Sequence, residues 1–191
     1  MKGMDILFGQ SPEEWHFPDF ILSSVTPIQV SQTVAQIAHH LYPNAHVVWD
    51  LFGGTGMDTV NFSKFFETIT CEADPQMFLA MSQNIMTHQD TAHGYELHRV
   101  DSTSFKPLYR SVDLVYLDPP WGESFKRDEP FDMMGLQIGN RSLMSIIEDI
   151  RRDVCQNIIL KAPIKNYDLW KDRLQCEIQF DRYRLKFYFL T

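Results

Sequence analysis

Cysteine is scarce in this 191-residue chain: Cys71, Cys155 and Cys176 are scattered, odd in number and without a CxxC pair. That pattern argues against a disulfide framework and offers no zinc site; it fits a reducing compartment. The histidines suggest no metal site either. His39 and His40 are neighbours on an expected helix and point apart. His88, His93 and His98 lack a carboxylate pattern, so these side chains are expected to be solvated. Long apolar runs are missing: nothing approaches the roughly 18 to 20 residues of a membrane span. The opening MKGMDILFGQ lacks the long apolar core and small-residue cleavage site of a secretory signal. Positive charge is in deficit. A net charge of −8 counts against broad binding to a phosphate backbone, though not against a pocket for one nucleotide. Basic residues do thicken late, at Arg151, Arg152, Lys161, Lys165, Arg182, Arg184 and Lys186. Repeats, low-complexity segments and linkers are absent. The expectation is an intracellular monomer, cytoplasmic or nuclear, with no membrane contact and no metal.

The composition is that of an ordinary globular chain, 44% hydrophobic and 22% charged, and its length suits one domain with a full core. Residues 1–25 are turn-rich and aromatic, with Phe8, Pro12, Trp15, Phe17, Pro18 and Phe20, and read as an N-terminal arm. Residues 26–191 read as a single domain. TPIQVSQTVAQIAHHLY predicts a helix, with Thr26 as its N-cap and Pro27 in its first position. Strand-like and helix-like segments then alternate: HVVWDLF, MDTVNFSKFF, TITCEAD, PQMFLAMSQNIMTHQ, YELHRVD, SVDLVYLD, SLMSIIEDIRRDV, NIILKAP and NYDLWKDRL. EIQFDRYRLKFYFL closes the chain as a hairpin turning at Asp181–Tyr183. Such alternation predicts an α/β fold, a mostly parallel seven-stranded sheet with helices on both faces and a C-terminal antiparallel hairpin. Met77, Met81, Met86, Phe62, Phe65 and Phe66 are read as core.

The strand ends carry the chemistry. The first ends on Asp50 and runs into FGGTGMD, where Gly54 and Gly56 permit a tight turn and close approach of a ligand to the backbone. The turn lacks the full GxGxxG signature and is weak evidence alone. Its position at the carboxyl end of a first strand gives it weight. Glu72 ends the second strand, about 20 residues on, where a carboxylate can accept from both ribose hydroxyls. Asp101 ends the third, near where an adenine amino group would lie. A nicotinamide dinucleotide and S-adenosylmethionine could both use this geometry. The latter needs no phosphate site: Asp50 can take its ammonium and backbone N–H groups its carboxylate.

The fourth strand decides between them, because it ends in DPPWG, residues 118–122. An exocyclic amino group on a conjugated ring is a poor nucleophile, since its lone pair is delocalised. Acceptors on its hydrogens return density to nitrogen, and the Asp118 carboxylate and Pro119 carbonyl are candidates, fixed by consecutive prolines. Trp121 offers a face for a base, with stacking worth about 1 to 3 kcal/mol. A cationic base would add about 0.5 to 2 kcal/mol.

With these residues the chain resembles class I S-adenosylmethionine-dependent methyltransferases of Rossmann-like fold, and more narrowly the trimethylguanosine synthase family. That resemblance runs from about residue 15 to the C-terminus, through SSVTPIQVSQTVAQIA, WDLFGGTGMDTVNFS, CEADP, VDLVYLDPPWGES, NIILKAPIKN and RLKFYF. It implies methylation of the 2-amino group of the 7-methylguanosine cap of RNA. It implies a cofactor site at Thr26, Asp50, Gly54, Gly56, Asp58, Glu72, Asp101 and Asp118. It also implies stacking of the guanine on Trp121, with the Pro119 region facing the amine and Trp15 and Phe17 of the arm helping to close the pocket. Lys126, Arg127, Lys161 and Lys165 are then expected to face the cap phosphates.

Asp118 stands where that family has serine, and Asp58 where it has asparagine. An aspartate before PPW is the pattern of wider amino-methyltransferases, so guanine or adenine within ribosomal RNA or DNA is an alternative substrate. A catalytically dead binding module is a further alternative; the intact glycine turn and DPPW loop weigh against it. The compact, acidic chain is analogous to stand-alone catalytic domains of some large DNA viruses.

Overall fold

The computed structural model describes residues 14–18, 25–88, 93–104, 110–122, 125–126, 128–165 and 174–191. The first helix, α1 (Ile28–Leu41), starts one residue later than its pattern predicts. Thr26 does not cap it; Pro27 occupies that position, with no side-chain cap. The Thr26 hydroxyl is turned instead toward Asp58. Short buried runs follow as β1 (Val47–Asp50), then α2 (Met57–Phe62), β2 (Glu67–Cys71), α3 (Pro75–His88), β3 (Tyr95–His98) and β4 (Leu114–Leu117). A small hairpin of β5 (Gln137–Ile138) and β6 (Arg141–Ser142), which no sequence pattern marked, leads into α4 (Leu143–Asp153). The Ser142 side chain accepts from the Ser145 N–H, and Arg151 and Arg152 lie in the last turn, so both helix ends are matched to its dipole. The chain closes with β7 (Ile158–Pro163), β8 (Leu174–Phe180) and β9 (Leu185–Leu190). The helix expected over NYDLWKDRL lies outside the described residues, except for Leu174, which begins β8.

The seven strands of the main sheet run in the order β3-β2-β1-β4-β7-β9-β8. β3, β2, β1, β4 and β7 are parallel neighbours, and β9 is antiparallel to both β7 and β8. The β8–β9 turn falls where the sequence placed it, and Arg184 there has a left-handed φ of 59°. Strand order reverses direction between β1 and β4, a switch point whose carboxyl ends open a crevice.

Alternation along the strands sends side chains to two layers. Val48, Leu114, Tyr116, Ile159, Phe187 and Phe189 pack under Val30, Val34, Ala35 and Ala38 of α1. Trp49, Val115, Leu117, Ile158 and Leu160 pack against Leu143, Ile146, Ile147 and Ile150 of α4. Each such large apolar side chain contributes about 1.5 to 3 kcal/mol of transfer free energy. Met77 and Met81 are buried as expected, but Met86 is 71% exposed, because it lies on the outer face of α3.

Candidate active site at the strand ends

Between β1 and α2 the backbone makes a turn that only glycine accommodates. Gly54 and Gly56 have φ of 56° and 84°, in the left-handed region where other residues are strained. Gly54 has room beside it, since a Cβ there would make only ordinary contacts at 3.9 Å, with Met77 Cε and the Phe52 carbonyl oxygen. Gly53 is held differently: a Cβ would lie 2.5 Å from both the Met81 sulfur and Thr70 Cγ2. It donates its N–H to the Cys71 carbonyl at 2.8 Å, which ties the turn to β2. Gly53 escaped the sequence reading, because its need is close packing rather than a turn signature.

Glu72 follows β2 and is half-buried. Its carboxylate accepts from the N–H groups of Gly54 (2.9 Å) and Asp74 (2.8 Å), and burial raises its pKa. Asp101 is not a strand terminus: β3 stops at His98, and Asp101 is exposed in a turn, accepting from the Thr103 N–H and hydroxyl. The difference is local, because an aspartate that engages a backbone N–H two residues on favours a turn over a strand.

Asn84 is a further residue that the sequence did not reveal. Fully buried on α3, it accepts from the His16 N–H (2.6 Å) and donates to the carbonyls of His16 (2.7 Å) and Thr55 (2.8 Å). The arm is thus stitched to the glycine turn. Trp15 is stacked on His88 at 4.1 Å and packs with Val25, Met57, Val60, Met81 and Ile85. Trp15, expected to help close the pocket, is anchored in a packed cluster, and His88, expected to be solvated, is half-buried as its stacking partner.

The buried acids meet on the α1 face of the sheet. Asp50 is 1% exposed, and its oxygens accept from Thr59 Oγ1 (2.8 Å) and the Phe52 N–H (3.3 Å). Burial, then the nearby Asp58, push it up to about 8. Asp58 Oδ2 accepts from Thr26 Oγ1 (2.7 Å) and the Tyr116 hydroxyl (3.1 Å), while Oδ1 is buried without a partner. Asp118 comes directly after β4. The parallel register pairs Tyr116 with Ile159 and Leu117 with Leu160, so one step further sets Asp118 beside Lys161. The Lys161 ammonium donates to Asp118 Oδ2 (2.6 Å) and Thr26 Oγ1 (2.7 Å). Lys161 is 2% exposed, which overturns its expected place on a phosphate: period-two alternation turns it inward beside Tyr116 and Asp118. Burial lifts Asp118 to about 6, with Lys161 opposing the rise.

Trp121 is half-buried rather than exposed, because the chain after it folds back. Phe125 meets its ring edge-on at 4.7 Å and Phe131 lies at 6.5 Å, while the indole Nε1 is shielded and unpartnered. This loop is latched at two places: the Asp128 carboxylate pairs with Arg184 in the β8–β9 turn, and its carbonyl accepts from Lys165, just after β7, at 2.8 Å. Lys126 is exposed and pairs with Glu129 at 3.2 Å. The cations near the loop among the described residues include exposed Lys126 and Lys165 and partly buried Arg184; Arg127 lies outside the described residues. Among the described residues no cluster of His, Cys, Asp or Glu is set to hold a metal, and no helix is long and apolar enough to cross a membrane.

The room beside Gly54, the carboxylate of Glu72 next to it and the unpartnered Asp58 Oδ1 fit a nucleoside ligand carrying positive charge. Comparison with known proteins agrees. A family model described as RNA cap guanine-N2 methyltransferase matches residues 45–185. Trimethylguanosine synthase of Schizosaccharomyces pombe is 30% identical over 106 residues, 52% of this chain and 43% of that protein. The match therefore spans less than half of the relative's length. A candidate RNA methyltransferase from Pyrococcus horikoshii superposes with a TM-score of 0.62 at 15% identity, over 93% of this chain and 92% of the other. The N-terminal domain of EvdMO1, with SAH bound, gives 0.54 at 15% identity, over 85% and 66%. At such identities these two structures speak for the fold alone. The switch-point site and the family match define an S-adenosylmethionine-dependent methyltransferase. Within that class, the chain belongs to the RNA cap guanine-N2 methyltransferase family.

Proposed function

We propose that this chain methylates the exocyclic 2-amino group of the 7-methylguanosine cap of RNA, giving di- or trimethylguanosine caps. The observation that carries this reading is the Asp118–Pro119–Pro120–Trp121 segment directly after β4 at the switch point, in a chain whose residues 45–185 match the cap family. Bound S-adenosylmethionine supplies an electrophilic methyl group. Gly54, Gly56, Glu72 and Asp101 would hold its nucleoside, and Thr26, Asp50 and Asp58 would surround its cationic end. The guanine would lie against Trp121, with the 2-amino group donating to Asp118 and to the Pro119 carbonyl. Asp118 Oδ2 is engaged by Lys161, so Oδ1 is the oxygen that accepts the amine hydrogen and takes the proton released when nitrogen is methylated. Lys126, Lys165 and Arg184 are the cations available to the cap phosphates.

The test is transfer of label from the cofactor to a panel: 7-methylguanosine cap analogue, unmethylated cap analogue, short RNA and short DNA. Turnover on the 7-methylated analogue without attached RNA supports the proposal. Turnover only on RNA or DNA would replace it with the second reading, methylation of guanine or adenine amines within a polymer, which Asp118 in place of serine favours. Asp118→Asn is expected to lower kcat about a hundredfold on the true substrate, the scale of losing one oriented polar contact in a transition state.

A further inference from the structure

Lys161 lies inside the protein at 2% exposure, and a buried cation needs polar partners to offset its lost hydration. It sits between Asp118 Oδ2 at 2.6 Å and Thr26 Oγ1 at 2.7 Å, and Thr26 passes its own hydrogen to Asp58. We infer that Lys161 is a positioning residue for the methyl-transfer reaction: it keeps Asp118 ionised and fixes which of its oxygens faces the amine. The inference rests on the reading that Asp118 accepts from the substrate.

The electrostatics require such a device. The groups facing Asp118 are Asp50 from β1, Asp58 from α2, Tyr116 from β4, Thr26 from the segment before α1, and Lys161 from β7. Three of these elements bring acidic groups or a phenol, and among the described residues the cation beside Asp118 comes from β7. Without it, Asp118 would hold its proton more tightly, because burial and the neighbouring Asp58 both favour the neutral form. A protonated carboxyl donates where an acceptor is needed. The ammonium also fixes geometry. It binds one oxygen, is itself fixed by Thr26, and so links the catalytic carboxylate to the α2 segment at the cofactor turn. A serine at position 118 would need no such partner, so the aspartate and the lysine form one unit.

The experiment is a carbon-detected NMR titration of the Asp118 carboxyl in wild type and in Lys161→Met, both saturated with SAH to report folding and binding. The expected result is a midpoint raised by about 1 to 3 pH units in the variant. The acid limb of kcat/KM should move with it, a loss of about tenfold at pH 7 for a two-unit shift, recovered at higher pH. An Asp118 midpoint unmoved in a folded, SAH-binding variant would overturn the inference, as would lost activity with an unshifted pH limb. If Lys161→Met does not fold, wild type still decides: the resonance of the Lys161 ammonium nitrogen should move as the Asp118 carboxyl changes charge, and no such response would refute the pairing. The NMR arms need no RNA substrate, so failure of cap methylation alone leaves them readable.

Discussion

Asn84 donates to the carbonyl of Thr55 across 2.8 Å, from helix α3 to the glycine turn. The same side chain holds both backbone polar groups of His16. One buried amide thus satisfies a turn that must stay open to ligand and an arm that must stay docked. Asn84→Ala leaves these groups without partners, at a cost of about 1 to 3 kcal/mol for a buried unsatisfied group. Thermal unfolding should show the loss, and calorimetry should show weaker SAH binding. Unchanged values in both would mean that the clamp is incidental.

Gly53 and Gly54 are adjacent but carry different constraints. Gly53→Ala drives a methyl to 2.5 Å from Met81 and Thr70, whereas Gly54→Ala makes only ordinary contacts at 3.9 Å but at a positive φ. Alanine at 54 should cost about 1 to 2 kcal/mol of backbone strain, and alanine at 53 should cost more, since overpacking adds about 1 to 3 kcal/mol and shifts backbone. Chemical denaturation of the two variants checks the order.

Asp50 has a pH signature in stability. Its pKa rises from 3.8 to about 8, chiefly through burial, so the folded state holds the proton more tightly than the unfolded chain. Its contribution is therefore fully present below pH 4 and is lost as pH climbs through about 8. The ligand-free protein should lose stability as pH rises from about 4 to about 8, and Asp50→Asn should flatten that decline. A variant with the same slope as wild type would remove Asp50 as its source.

Much of the fold was legible from residue pattern. Alternating buried strands and amphipathic helices gave the parallel sheet, and Asp181–Tyr183 marked the closing turn. The strand-end logic put Asp50, Glu72 and Asp118 at the carboxyl edge of the neighbouring strands β1, β2 and β4. Three features escaped for physical reasons. The Lys161–Asp118 pair depends on the register between β4 and β7, which is a tertiary property. Asn84 bonds across 68 residues to His16 and across 29 to Thr55, separations without local signature. Trp121 looked exposed because DPPWG predicts a loop, whereas its burial depends on Phe125 and Phe131 folding back.

Arg184 separates stability from affinity. Its left-handed φ of 59° strains a side-chain-bearing residue, and glycine would relieve about 1 kcal/mol. The ion pair lost with Asp128 is partly exposed and worth about 0 to 1 kcal/mol. Arg184→Gly should therefore unfold at nearly the wild-type temperature. Its KM for a capped substrate should rise about tenfold, the worth of one charged hydrogen bond, with kcat kept and with a weaker dependence on salt. A KM equal to wild type would remove Arg184 from the phosphate site.

The position of the transferred methyl group tests the central claim most directly. Product from labelled cofactor and a 7-methylguanosine cap analogue would be digested to nucleosides and mapped by tandem mass spectrometry. The expected result is label on the guanine 2-amino nitrogen, absent when Trp121→Ala replaces the wild-type enzyme. Label on any other atom, or undiminished 2-amino labelling by the Trp121→Ala variant, would contradict a base held at the end of β4 with its amine against Asp118.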